Sequence, residues 1–167
     1  MKPFLWLTIM DLKLAQELFE YIEGSLYWKS HYRKSKIGKK SGTPHSKGYV
    51  QVVYKGTLYM EHRIIFLLHY GYLPKLVDHI NGNKSDNRIC NLREATVSQN
   101  GHNMKTPRSN TSGIKGVTWR NSNKTWRVQI SVNGKNKFLG AFKDIELAKI
   151  AIEQARTKYH GEFSNHG

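Results

Sequence analysis

The dipeptide Asn133-Gly134 restricts the fold of this chain more than any other pair of residues in it. It follows Trp126-Arg127-Val128-Gln129-Ile130-Ser131-Val132, where apolar and polar residues alternate, and precedes Lys137-Phe138-Leu139. Asn and Gly accept the positive φ that a two-residue type I′ turn requires, so this segment is expected to be a hairpin. Gly116-Val117-Thr118-Trp119 supplies a third strand candidate. Asp144 then caps a helix whose Ile145, Ala148, Ile152, Ala155 and Tyr159 share one side, and Gly161 stops it. The C-terminal part therefore reads as a small three-stranded antiparallel sheet packed on one helix. Alternation places Arg127, Gln129 and Ser131 on one face and Trp126, Val128 and Ile130 on the other. The apolar face should meet the helix together with Phe138 or Phe142.

The N-terminal part is of mixed type. Leu14, Leu18 and Ile22 repeat at helical spacing after a possible cap at Asp11. Leu26-Tyr27-Trp28 is a short strand candidate. Tyr49 to Tyr54 and Thr57-Leu58-Tyr59 form a hairpin across Lys55-Gly56. Residues 61–70 read as a helix with Ile64, Ile65, Leu67 and Leu68 as its apolar contacts. From 77 onward the order is strand (77–80), Asn/Asp/Gly/Ser-rich loop (81–88), strand (92–95) and a helix capped by Thr96. Residues 104–112 are polar and read as a linker. The division expected is therefore 1–104, linker 105–111, and 112–167. The opening MKPFLWLTIM is apolar, too short for a membrane span and without a small-residue cleavage site, and reads as packing against the domain.

Charge narrows the partner. The chain has 167 residues with 27 Lys+Arg against 12 Asp+Glu, a net charge of +15. The basic residues are concentrated: residues 24–60 hold eight Lys/Arg and no acid, and residues 95–143 hold nine and no acid. Such stretches suit a polyanion. A hydrophobic content of 38% allows a packed core, so the chain is not a disordered basic tail. Cys90 is the only cysteine, which excludes an internal disulfide and a thiolate zinc cage. It reads as a small buried apolar residue. No structural zinc is expected. With no membrane span evident, a cytoplasmic protein is the default expectation.

Residues 77–103 carry the chemistry. Phosphodiester hydrolysis needs a base to take a proton from water and a positive charge to meet the leaving oxygen. A neutral His can be the base at physiological pH. A hard divalent cation with oxygen ligands supplies the charge. Asp78 and His79 are adjacent on a strand, and Asn100 lies on the following helix. The three meet that specification if the strand-loop-strand-helix unit folds back on itself.

Val77-Asp78-His79-Ile80-Asn81-Gly82-Asn83, Asp86-Asn87-Arg88, Asn91-Leu92-Arg93 and Ser98-Gln99-Asn100 resemble the HNH endonuclease motif, in the form found in phage and intron-associated homing endonucleases. Glu61-His62-Arg63-Ile64 and Tyr70-Gly71-Tyr72-Leu73-Pro74 match what those proteins carry upstream. The resemblance implies an α+β protein with a ββα-metal (His-Me finger) core at about 76–104, acting on DNA with one Mg²⁺ or Mn²⁺. It implies His79 as general base, Asp78 as metal ligand, Asn91 as the residue that holds the loop so that the His is oriented, and Asn100 as the ligand supplied by the helix. His102, two residues on, is the competing ligand, but i and i+2 do not share a helix face. His62 either faces the site or is a packing histidine. Arg63 and Arg93 either clamp phosphate or pair with an acid.

Ser112-Gly113-Ile114-Lys115-Gly116-Val117, Trp126 to Ile130, Phe138-Leu139-Gly140-Ala141-Phe142 and Glu146-Leu147-Ala148 resemble the APETALA/ethylene-response-factor DNA-binding domain, over about residues 112–163. The resemblance implies a sheet laid in the major groove, with a reading face of Lys115, Thr118, Arg120, Arg127, Gln129, Ser131 and Lys137. Thr118 and Ser131 stand where the plant domains place arginines, so sequence preference does not carry over.

Together these readings give a DNA endonuclease, homing or phage-encoded, acting on double-stranded DNA as a monomer or transient dimer in a bacterial or phage-infected cell. Two other readings stand beside it. One is a catalytically inactive DNA-binding regulator. The other is an RNA-binding protein that stacks bases on Trp28, Tyr32 and Trp119.

Overall fold

The computed structural model describes residues 10–104, 106 and 109–164. The chain divides by packing into two units, Met1–Glu94 and Ala95–Gly167, each with its own apolar cluster. Of the apolar opening, Met10 is described and buried; residues 1–9 lie outside the described residues.

In the first unit, α1 (Leu12–Leu18) is capped by Asp11, whose carboxylate accepts the Leu14 N–H at 2.8 Å. The helix expected to reach Ile22 ends at Leu18. The chain continues as β1 (Phe19–Ile22), antiparallel to β2 (Ser25–Trp28). The turn is Glu23-Gly24 with φ of 44° and 84°. Pairing with β2 buries Phe19 and leaves Ile22 exposed. That outweighs the helical spacing of Ile22, which would have given one apolar contact.

β3 (Thr43–Pro44), β4 (Val50–Tyr54) and β5 (Thr57–Met60) form an antiparallel sheet in that order. α2 (Glu61–Tyr70) starts where β5 stops and ends at Gly71, in the left-handed conformation. Its Ile64, Ile65, Phe66 and Leu67 join Leu18, Phe19, Leu26, Trp28 and Val52 in the core. Each such side chain contributes about 1.5–3 kcal/mol when fully buried, so α2 is firmly seated and its first residues are held in place. β6 (Leu76–His79) pairs with β7 (Leu92–Ala95), joined by a loop that closes in a 3₁₀ turn at Ile89–Asn91. Cys90, expected to be buried, is exposed on this turn. The tight turn points its neighbours Ile89 and Asn91 inward and turns Cys90 out.

The second unit begins with α3 (Val97–Asn103), opened by a reciprocal capping box between Thr96 and Gln99. The expected boundary at 105–111 is displaced to before α3. The Lys115 ammonium donates to the carbonyls of His102 and Met104, at 2.9 and 2.6 Å. It thereby satisfies acceptors that a helix end leaves open. Residues 105, 107 and 108 of the expected linker lie outside the described residues. β8 (Val117–Arg120), β9 (Thr125–Val132) and β10 (Lys135–Phe142) form an antiparallel sheet in the order β10-β9-β8. α4 (Ile145–His160), capped by Asp144, packs Ala148, Ile152 and Ala155 on Val117, Val128 and Ile130. Of the two phenylalanines considered for this core, Phe142 packs against it and Phe138 is 58% exposed. Phe138 pairs with Gln129, on the face away from the helix, and the register shift between Phe138 and Gly140 sets Phe142 opposite Trp126, on the other face.

Candidate active site

Val77, Asp78 and His79 are consecutive buried residues of β6. Two buried polar neighbours need internal partners, and the pairing with β7 supplies the first. Arg93 of β7 reaches Asp78 with Nε and a terminal nitrogen, both 3.0 Å from Oδ2. His79 Nε2 is 2.9 Å from Asn87 Oδ1. Asn87 Nδ2 donates to Glu61 Oε2 at 2.9 Å. Glu61 Oε1 accepts the Leu26 N–H at 3.0 Å. Glu61 and Asn87 are each 1% exposed, so a continuous polar chain runs from the β2 backbone to the His79 ring through the core.

The loop between β6 and β7 is closed by its own amides. Asn81 N–H donates to Asn91 Oδ1 at 3.0 Å. Asn91 Nδ2 donates to Asn81 Oδ1 at 3.0 Å and to the Asp86 carbonyl at 2.8 Å. Asp86 also receives Asn81 Nδ2 and two nitrogens of Arg88, and these bonds hold its pKa well below the usual carboxylate range. Asn91 thus ties the loop together, while Asn87 hydrogen-bonds the His79 ring. Asn87 and Glu61 both fall within the segments that carry the HNH resemblance, but the sequence assigned neither a role. Asn87 sits in a loop rich in its own kind, and an acid in the first turn of a helix ordinarily serves the helix dipole.

Burial lowers the pKa of His79, while Asn87 and the charges of Asp78 and Asp86 oppose that. The ring is thus neutral at physiological pH, as a base must be. His62 is the second histidine here. Its ring lies edge-on to His79 at 4.9 Å and stacks on Tyr49 at 5.4 Å. Its Nδ1 has no hydrogen-bond partner among the described residues. Burial, with the charges of His79 and Arg63 adding, brings its pKa down to about 3. The unfolded chain takes up this proton near pH 6.5, whereas the folded one resists until about 3. Stability is therefore lost as pH falls through that window, at about 1.4 kcal/mol per pH unit for one proton. Urea midpoints of wild type and His62→Phe between pH 6 and 4 should show that extra slope in wild type alone; equal slopes would remove His62 as its source.

This geometry coincides with a family match. A model of the HNH endonuclease family matches residues 59–102. The chain is also 38% identical over 98 residues to Protein 3.8 of Escherichia phage T7, covering 56% of this chain and 78% of that protein. The chain belongs to the family of that phage protein. It carries an HNH endonuclease domain, and the family ties it to nuclease chemistry on DNA. No solved structure matches it.

Within the HNH domain, Asp78, His79, Asn91 and Arg93 lie on β6, β7 and the turn between them. Arg93, left open between phosphate and acid, pairs with Asp78, and its side chain is 13% exposed. Arg63 donates to the carbonyls of Pro74 and Lys75, at 3.2 and 3.3 Å, so its guanidinium braces the chain entering β6. Asn100 and His102 lie on α3, in the second unit; His102 stacks flat on His160 with centroids 3.6 Å apart. Among the described residues no three His, Cys, Asp or Glu side chains gather to hold a metal. No helix there is long and apolar enough to cross a membrane.

The expected DNA-reading residues of the second unit fall into two groups. Arg120, Arg127 and Phe138 line one open depression of the sheet, with Ser122, Asn123, Thr125 and Ala141. Arg127 lies over the Phe138 ring at 5.5 Å, and Gln129 is on the same face by alternation. Lys115 and Lys137 are otherwise engaged. Lys115 closes the end of α3, and Lys137 donates to the Tyr159 hydroxyl at 2.7 Å.

Proposed function

We propose that this protein is a metal-dependent DNA endonuclease of the HNH type, phage-encoded or homing, that hydrolyses a phosphodiester bond in double-stranded DNA. The observation that carries this reading is the His79 ring, 2.9 Å from Asn87 Oδ1 and next to Asp78 on β6, within the HNH match.

His79 takes the proton from the attacking water. Asp78 is the proposed carboxylate ligand of one Mg²⁺ or Mn²⁺, and Asn100 is the proposed amide-carbonyl ligand. One carboxylate and one amide carbonyl are hard donors, a small share that suits an ion keeping waters and substrate phosphate oxygens as its other ligands. When bound, the ion supplies charge to the scissile phosphate and the leaving oxygen. Arg93 balances the buried charge of Asp78, and Asn91 keeps the loop closed over β6. The basic residues of 24–60 contribute phosphate attraction.

Residues 112–163 are proposed to act as an ethylene-response-factor-like domain that places the enzyme on its site, reading through Arg120, Arg127 and Gln129. Arg127→Ala is expected to weaken binding of a specific duplex about tenfold and leave the salt dependence of non-specific binding nearly unchanged. Equal losses on specific and random duplexes would make Arg127 a phosphate contact.

The experiment is relaxation of supercoiled plasmid carrying the phage or host target region, with Mg²⁺, Mn²⁺ or EDTA. Nicking with metal and none with EDTA is the expected result. Tight binding to a selected duplex without cutting in either metal would favour the regulator. A preference for structured RNA in competition would favour the RNA reading.

A further inference from the structure

Glu61 has no part in the mechanism above, yet it is a buried carboxylate wired to the proposed base. We infer that Glu61 is a positioning residue which, acting through the Asn87 amide, sets the tautomer of His79 so that Nδ1 is the basic nitrogen. The catalytic consequence rests on the nuclease reading; the tautomer itself does not.

The argument is one of donors and acceptors. A carboxylate can only accept. Glu61 Oε1 already accepts the Leu26 N–H, so Oε2 must be met by a donor. Asn87 can meet it only with its NH₂ end, at 2.9 Å. That fixes the amide and turns its oxygen to His79. An amide oxygen facing Nε2 at 2.9 Å requires Nε2 to carry the hydrogen. A neutral imidazole has one N–H, so its lone pair is on Nδ1. Reversing the amide would set its oxygen against the Glu61 carboxylate, two acceptors with no hydrogen between them, leaving both buried groups unsatisfied.

Glu61 is tightly enclosed. It is 1% exposed, and a Cβ added at Gly42 would stand 2.7 Å from Oε1 and 2.5 Å from Val50 Cγ1. Ser41, beside Gly42, donates its hydroxyl to the Leu26 carbonyl, holding the β2 backbone that supplies the N–H.

The test exploits the same logic. In Glu61→Gln the side-chain oxygen can keep the Leu26 N–H, and the new NH₂ then faces Asn87. All bonds are recovered if Asn87 turns over and His79 moves its hydrogen to Nδ1. The fold is thus expected to survive with the tautomer exchanged. Glu61→Gln/Asn87→Asp returns an acceptor to His79 Nε2 and gives the Gln NH₂ a partner, restoring the original tautomer. Imidazole ¹⁵N spectra of ¹⁵N-histidine-labelled full-length protein at pH 8 read this directly, with His79→Gln assigning the signal. The expected pattern is Nε2–H in wild type, Nδ1–H in Glu61→Gln, and Nε2–H again in the double variant. Metal-dependent nicking should fall about 10²-fold in the single variant, within the range a general base supplies, and recover at least about tenfold in the double. Nδ1–H in wild type, or Nε2–H retained in Glu61→Gln, overturns the inference. A merely structural Glu61 would lower stability with the tautomer unmoved and no rescue. If the tautomers follow the pattern but wild type cuts no DNA, the relay stands and the nuclease reading falls.

Discussion

His79→Ala is expected to lower metal-dependent nicking about 10²- to 10⁴-fold, the range a positioned general base contributes, while DNA affinity stays within about twofold of wild type. The two effects separate because His79 is 4% exposed and held by Asn87, whereas affinity for DNA arises from exposed Lys and Arg acting on phosphates. Single-turnover cleavage with protein in excess keeps product release out of the measurement. Retained binding with lost cutting identifies His79 as part of the reaction. A variant that cuts as well as wild type would remove the HNH assignment of this residue and require another base. Loss of both binding and cutting would point to a collapsed fold, which the circular dichroism of the variant reads independently.

The second large effect is on stability. Arg93→Ala removes the guanidinium from the buried Asp78 carboxylate, where both contacts are 3.0 Å and the two side chains are 13% and 7% exposed. Breaking one side of such a pair costs about 3 kcal/mol, because the remaining charge stays in a poorly hydrated place. Against a typical total of about 5–15 kcal/mol, the urea midpoint of the first unit should shift far down. Asp78→Asn/Arg93→Leu should recover most of that loss, since the unpaired charge is gone, while remaining inactive if Asp78 holds the ion. A small loss in Arg93→Ala, below about 0.5 kcal/mol, would show that the pair is solvated as surface pairs are. Arg93 would then be available to phosphate after all.

Much of this molecule was legible in one dimension. Asn133-Gly134, Lys55-Gly56, the caps at Asp11, Thr96 and Asp144, and the stop at Gly161 all act through their own backbone or a neighbour within a few residues. Local physics of that kind is written locally. The adjacency of Asp78 and His79, and the asparagine spacing behind them, were equally plain because strand and loop preserve sequence order. Legibility failed where a distant partner decided the outcome. Ile22 has helical spacing with Leu18, but β2 claimed its segment for a hairpin. Phe138 and Phe142 could not be told apart until a bulge in β10 set which one faced α4. Lys115 read as a cation for DNA until the end of α3 engaged it.

The sequence by itself determined most of the element types, the basic character and the family motif with its Asp78-His79 pair, since these depend on residue identity and short spacing. Only the tertiary structure decided what surrounds that pair. Arg93 meets Asp78 across 15 positions, Asn87 meets His79 across eight, and Glu61 meets Asn87 across 26 and the Leu26 N–H across 35. A hydrogen bond needs its donor and acceptor within about 3 Å, and for residues this far apart along the chain that condition is met only when the core of α2, β2 and β4 has closed around them.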